Sequence, residues 1–275
     1  LLMQSFLSKL NQLKERKLAL LVDPAEDESK AIFFGPAENV SGKKINYLIN
    51  ISAGVLFVVL SEQRCNSFKL PLMDSRREQD GFVSSKNLWQ IRTSVEAREG
   101  VTTGISAFDR ARTINILGAK DINHTEIVSP GHIFPISAKN GGVLVKHDLP
   151  EASLDIVTQC GFSDAAYLIE AISLNGEAMM QKDIILIADK LEIPVFNLSE
   201  LVKYRLTNEK IVKRVEERKI DSEIAGELLS ITFQSTISED KHIALIKGEI
   251  DSNSPVLTRV QTERTISDIF GESSE

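Results

Sequence analysis

Apolar and charged positions alternate at helical spacing over LLMQSFLSKLNQLKERK, which predicts an amphipathic helix from Ser5 to Arg16. The continuous apolar run Leu18 to Val22 then reads as a buried strand, followed by the acidic loop DPAEDESK (Asp23 to Lys30) and a short strand, AIFFG, from Ala31 to Gly35. A helix is expected over Gly42 to Ala53. GVLFVVL (Gly54 to Leu60) is short and rich in β-branched residues, so it reads as a core strand. The polar stretch between Met73 and Trp89 has no period and reads as a surface loop.

The second half continues the mixture. A strand is expected over Ile91 to Val95, then a Gly- and Thr-rich turn and a helix from Ser106 to Leu117, with Ser106 as N-cap and Asp109 placed as in a capping box. A helix over Pro150 to Cys160 follows, with Pro in its first turn and Gly161 at its C-cap. AYLIEAI (Ala166 to Ile172) reads as a strand, Lys182 to Leu191 as a helix, PVFNL (Pro194 to Leu198) as a strand and Ser199 to Tyr204 as a closing helix. Strands and helices mix without a clean βαβ repeat, so the fold class is α+β (mixed α/β). The domain boundary is expected at Arg205 to Asn208, giving a domain over 1–205 and a segment over 206–275. Beyond it the highly charged IVKRVEERKI precedes three expected strands, ELLSITFQS, HIALIKGEI and PVLTRVQT, separated by SEDK and DSNS.

Composition narrows the function. The net charge of −7 argues against a general nucleic-acid binder, which needs a basic stripe to neutralise phosphates. That charge is uneven: residues from Leu206 onward carry −5 and the first 205 carry −2, so an anionic ligand is expected in front. Cys65 and Cys160 cannot build a disulfide framework or a structural zinc site, and read as two reduced thiols of a cytoplasmic protein. No apolar run approaches the roughly 20 residues of a membrane span, and no cleavable signal pattern is expected at the start.

Glycines and hydroxyls in GVTTG (Gly100 to Gly104) supply unhindered N–H groups and short donors, which suits an oxyanion or a sugar hydroxyl; an ordinary turn has the same composition. The whole string EAREGVTTGISAFDRARTI from Glu96, with PGHIFP from Pro130, AKNGGVLV from Ala138 and LPLM from Leu70, resembles the 3,4-dihydroxy-2-butanone 4-phosphate synthases of riboflavin biosynthesis over roughly Leu10 to Arg205. The resemblance implies a homodimeric lyase fold that converts ribulose 5-phosphate, a sugar phosphate, to formate and 3,4-dihydroxy-2-butanone 4-phosphate with Mg²⁺. Such chemistry needs several acid/base groups and a cation held by hard oxygen ligands.

Carried over position by position, the resemblance assigns acid/base roles to His132 and Glu170 and contacts to the sugar phosphate to Thr102 and Thr103. For His132 a structural histidine at a turn is the other reading. The family loop DDEDRENEGD aligns with DPAEDESKAI from Asp23. Glu28 retains the metal-binding position, and Asp27 stands at a substrate-contacting Arg. Lys30, Ala31 and Ile32 replace a Glu, a Gly and a substrate-contacting Asp. The family's RGGHTEA aligns with KHDLPEA: Lys146 replaces the phosphate-binding Arg, Leu149 the metal-binding His and Pro150 a phosphate-contacting Thr. Phe57 stands where the family has a Cys. His147 could slide toward the lost ligand position, and Lys30 could place an ammonium where the metal would lie, against the plainer readings of a solvated His and a surface ion pair.

The tail from Lys241 resembles the beginning of GTP cyclohydrolase II, whose zinc-binding HSEC reads Gln261-Thr262-Glu263-Arg264 here, so cyclohydrolase activity is not expected. Three functional readings stand side by side: a synthase homologue with a degraded site and little or no native activity that serves as a binding or regulatory partner, a divergent but active Mg²⁺-dependent synthase, and a decaying gene product.

Overall fold

Period-two alternation in the first strands decides where the two cores lie. The computed structural model describes residues 2–23, 30–74, 89–251 and 253–262. In β1 (Ala19–Asp23) and β2 (Lys30–Pro36), Leu20, Val22 and Phe33 point to one apolar cluster, while Ala19, Leu21, Ile32 and Phe34 point to another. Both faces of these strands are therefore buried, which is why they read as continuous apolar runs.

The strands β3 (Leu56–Ser61), β4 (Val95–Ala97), β5 (Ile127–Ala138), β6 (Ala165–Glu170) and β7 (Val195–Asn197) complete a seven-stranded sheet in the order β4-β5-β3-β6-β2-β1-β7. The β5–β3 and β1–β7 pairs are parallel and the others antiparallel, so the mixed α/β class holds. Three helices cover the first face: α2 (Gly42–Ile51), α4 (Ala107–Gly118) and α6 (Gln181–Leu191), through Ile45, Leu48, Ile114, Leu117, Ile184 and Ala188. The other face is covered by α1 (Leu2–Arg16), α5 (Leu149–Gln159) and α7 (Leu198–Asn208), through Phe6, Leu10, Leu13, Ile156, Val157 and Leu201. The result is three layers around two cores. Phe33 is fully buried, and truncating it to Ala is a cavity-forming change of about 3–5 kcal/mol.

Local signals set the helix starts. Ser41 Oγ accepts from Lys44 N–H at 3.2 Å, and Ser106 Oγ from Asp109 N–H at 3.0 Å. The reciprocal half of the expected capping box is missing, because the Asp109 carboxylate turns back to the preceding loop instead. A short helix not foreseen from the sequence, α3 (Glu62–Ser67), follows β3, and β5 takes in the whole PGHIFP run. The strand expected over Ile91 to Val95 is reduced to isolated bridges at Ile91 and Arg92, with the regular strand starting only at Val95.

The chain divides into two compact units: Leu1–Ile211 with Thr236–Glu239, and Val212–Ser235 with Asp240–Glu275. Arg205 and Leu206 both lie inside α7. The second unit holds an antiparallel sheet of β8 (Val212–Ser222), β9 (Gly226–Ser235) and β10 (Lys241–Ile246), in the order β10-β9-β8. It has three strands, as expected, but not the expected three. The charged run 211–220 supplies β8, and PVLTRVQT forms no strand. In β8 nearly every side chain is exposed, so the run lacks the apolar alternation that marks a strand, and its pairing rests on the tight connection to β9 instead. No helix among the described residues is long and apolar enough to cross a membrane.

Candidate functional site

The GVTTG turn is held from beneath by one carboxylate. Asp109, buried in the first turn of α4, accepts from Thr102 N–H at 3.2 Å, Thr102 Oγ1 at 2.8 Å and Gly104 N–H at 3.2 Å. The Thr102 hydroxyl and these backbone donors keep the Asp109 carboxyl below its ordinary range. Thr102, read from the sequence as a ligand contact, donates its hydroxyl hydrogen to Asp109, and the residue is exposed. Thr103 remains exposed.

Gly104 adopts φ +78° and packs against two site groups. A Cβ there would come within 1.8 Å of Glu96 Oε2 and 2.8 Å of His132 Nδ1. Those two groups pair with each other: His132 Nδ1 lies 3.0 Å from Glu96 Oε2. They meet because the β4–β5 ladder shifts register, pairing Val95 with Ile133 but Glu96 with Val128, so that residues 129–132, with a cis Ser129–Pro130 bond, bulge from the ladder. An ionised Glu96 places the ring proton on Nδ1 and leaves Nε2 as the nitrogen that can exchange a proton with a ligand.

Glu170 ends β6 at the same edge of the sheet. Phe57 on β3 pairs with both Phe134 and Leu168, so His132 and Glu170 each lie two residues beyond that row on flanking strands. Two strand spacings separate such positions by about 10 Å. Burial pushes the Glu170 carboxyl above the ordinary carboxylate range, partly offset by a hydrogen bond from the Val55 backbone. Ile32 pairs with Glu170 across β2, and Asp23 pairs with Lys30 where β1 and β2 meet the intervening loop. The loop residues Asp27 and Glu28, and the greater part of the loop between Met73 and Trp89, lie outside the described residues.

The segment expected to grip a phosphate is arranged differently. Lys146 Nζ lies 3.1 Å from Asp148 Oδ2 and 3.5 Å from Glu151 Oε1, a carboxylate whose side chain is 1% exposed. Asp148 caps α5 by accepting from Leu149 N–H at 2.8 Å, and it also receives Trp89 Nε1 at 3.3 Å. Glu151 accepts weakly from Lys139 N–H at 3.4 Å, its Oε2 has no hydrogen-bond partner among the described residues, and burial drives its carboxyl upward. Leu149 is 2% exposed within the apolar cluster, and Pro150 is buried in the first turn of α5. Phe57 packs edge-on against Trp89 at 5.3 Å and beside Phe134 at 6.2 Å. His147 is exposed.

The fold therefore brings Glu96, Gly104 and His132 together and sets Glu170 on the same sheet edge. No hydrogen bond or ion pair among the described residues joins Lys146 to His132 or Glu170. Sequence reasoning missed Glu96, although it opens the motif quoted from Glu96 onward, because its partner is a cross-strand neighbour 36 residues away. It also missed Asp148 and Glu151, for which closeness in sequence to Lys146 was an available signal. Among the described residues no cluster of three His, Cys, Asp or Glu side chains could hold a metal.

Comparisons with known proteins accord with this geometry. The chain is 32% identical over 261 residues to the 3,4-dihydroxy-2-butanone 4-phosphate synthase of Pseudomonas aeruginosa, covering 95% of this chain and 70% of that protein. It is 31% identical over 264 residues to the riboflavin biosynthesis protein RibBA of Chlorobium phaeovibrioides, covering 96% of this chain and 63% of that protein. The crystal structure of RibBX, a two-domain 3,4-dihydroxy-2-butanone 4-phosphate synthase from A. baumannii, superposes with a TM-score of 0.78 at 31% identity, covering 89% of this chain and 70% of that one. Residues 213–275 match the GTP cyclohydrolase II family and residues 8–204 the 3,4-dihydroxy-2-butanone 4-phosphate synthase family. The chain belongs to the 3,4-dihydroxy-2-butanone 4-phosphate synthase family, with a GTP cyclohydrolase II fragment behind that domain.

Proposed function

We propose that this chain is a riboflavin-pathway synthase homologue that keeps the scaffold and part of the acid/base set but has little or no native turnover of ribulose 5-phosphate. The observation that carries this reading is Leu149, 2% exposed in an apolar cluster at the position where the resemblance implies a metal-binding His. An aliphatic side chain offers no lone pair to a cation. Mg²⁺ is the expectation for the family, and the described residues do not fit it, so no step is derived through the ion. Lys146 supports the same reading, because a phosphate approaching it would meet Asp148 and Glu151 as well.

What remains is suited to binding and proton exchange on a sugar. Glu170, whose carboxyl burial raises above its ordinary range, can donate to or accept from a hydroxyl or enol oxygen. His132, held through Nδ1, can exchange a proton through Nε2. These two groups, with the exposed Thr103, make a sugar phosphate or a related polyol the expected ligand class. A homodimer in the cytoplasm and a functional division near residue 205 belong to the same reading. Incubation with ribulose 5-phosphate and Mg²⁺, followed by a formate assay, tests it, and calorimetry with ribulose 5-phosphate separates a binding module from a relic. The second reading, a divergent active synthase, draws on the His132–Glu96 contact and on Glu170.

A further inference from the structure

A groove whose wall includes neither His132 nor Glu170 lies on the side of the sheet covered by α2 and α4. Its volume is about 640 Å³, within the range of small-ligand sites, and its wall includes Arg98, Glu99, Phe108, Arg112 and Glu126. Arg112 Nε donates to Glu99 O at 2.6 Å, and its guanidinium lies over Gly100, where a Cβ would come within 2.6 Å of Cζ. Arg98 Nε donates to Thr125 O at 2.6 Å. Each guanidinium is thus anchored by Nε to a backbone carbonyl, and its terminal amino groups make no hydrogen bond or ion pair among the described residues. Two anchored forks with free ends match phosphate oxygens and lose little side-chain freedom on binding.

The other wall residues narrow the ligand. Phe108 is 65% exposed, and its ring leans so closely over Gly42 that a Cβ there would come within 2.4 Å of Cδ1. An exposed ring seated against the backbone offers a face for stacking. Glu99 and Glu126 balance the two arginines, which disfavours a polyanion and suits a ligand whose hydroxyls can donate to carboxylates. We propose that this groove binds a small organic phosphate of the nucleoside monophosphate type, with the phosphate on Arg98 and Arg112 and the base against Phe108.

Calorimetry on the full chain with adenosine 5′-monophosphate, adenosine and inorganic phosphate as probes tests this site. The monophosphate should bind more tightly than either fragment. Arg98→Gln and Arg112→Gln should each weaken it about tenfold, the effect of losing one charge-assisted contact. Phe108→Ala, a change at an exposed position that leaves the fold intact, should weaken the monophosphate several-fold but leave inorganic phosphate unchanged. No binding heat at several millimolar, or affinity indifferent to all three substitutions, overturns the proposal. So does a dimer that dissociates in Phe108→Ala while the monophosphate fails to bind, which would assign the groove to a second copy of the chain.

Discussion

His132 Nδ1 meets Glu96 Oε2 at 3.0 Å, and Gly104 closes against both groups from the neighbouring turn. The contact exists because the β4–β5 ladder skips residues 129–132, while Asp109 holds the turn at the right height. Gly104→Ala is the sharpest probe of this arrangement. The new methyl group would collide with Glu96 Oε2 and would also sit at φ +78°. A loss of about 1–3 kcal/mol is expected from the backbone conformation and the collision together, measured as a lowered urea midpoint at unchanged m-value. An unchanged midpoint would mean that the turn does not pack on the pair.

Asp109 gathers three donors from the turn, so Asp109→Asn and Thr102→Val should each lower Tm, and the double variant should lose less than the sum of the two. Thermal unfolding of the four proteins checks this. Strict additivity would show that Thr102 and Asp109 act independently.

The partly buried Lys146 pairs with the buried Glu151 and ties the start of α5 to the preceding segment. Lys146→Ala leaves the Glu151 carboxylate buried without its cation, an expected loss of about 2–4 kcal/mol at neutral pH, and Lys146→Ala with Glu151→Gln should recover part of it. The pH dependence has a definite sign. The folded carboxyl of Glu151 lies above its ordinary value, so its contribution to stability is fully present below the unfolded carboxylate range and is lost as pH rises through the raised folded value. Asp155 and Glu170 are raised as well, so Glu151→Gln should flatten the decline over the pH window above the ordinary carboxylate range without abolishing it. Urea unfolding at pH steps across that window measures the slope, and a slope unchanged by Glu151→Gln contradicts this assignment.

Leu149→His restores the residue type implied by the resemblance, at a position buried in the apolar cluster that also holds Phe57, Val143 and Ala152. The variant should lose about 1–3 kcal/mol, because an imidazole there exchanges water for apolar neighbours. Chemical denaturation reads the loss, and a variant as stable as the parent would show that the α5 start opens easily.

How much of this was legible in the sequence depended on the range of the forces involved. The front strands and helices were readable because Leu18 to Val22 and Gly54 to Leu60 are short continuous apolar runs and the α1 pattern carries its own period. The strand β8 was not, since Lys213, Arg214, Glu216 and Glu217 form a strand only through pairing with β9, with no buried face to mark it. At the site, the roles suggested for His132 and Glu170 came from local motifs. The contact with Glu96 depends on a register shift, and the capture of Lys146 by Asp148 and Glu151 depends on how α5 begins. The first leaves no local signature, and the second leaves only the closeness of Asp148 and Glu151 to Lys146 in sequence. The bond from the Thr102 hydroxyl to Asp109 is likewise set by how the turn folds back on α4.

The central claim is that the scaffold persists while native catalysis does not, and formate release tests it most directly. The full chain incubated with ribulose 5-phosphate and Mg²⁺ should yield no formate above a control without protein. Formate production that disappears in Glu170→Gln would contradict the account and establish the chain as a divergent, active synthase.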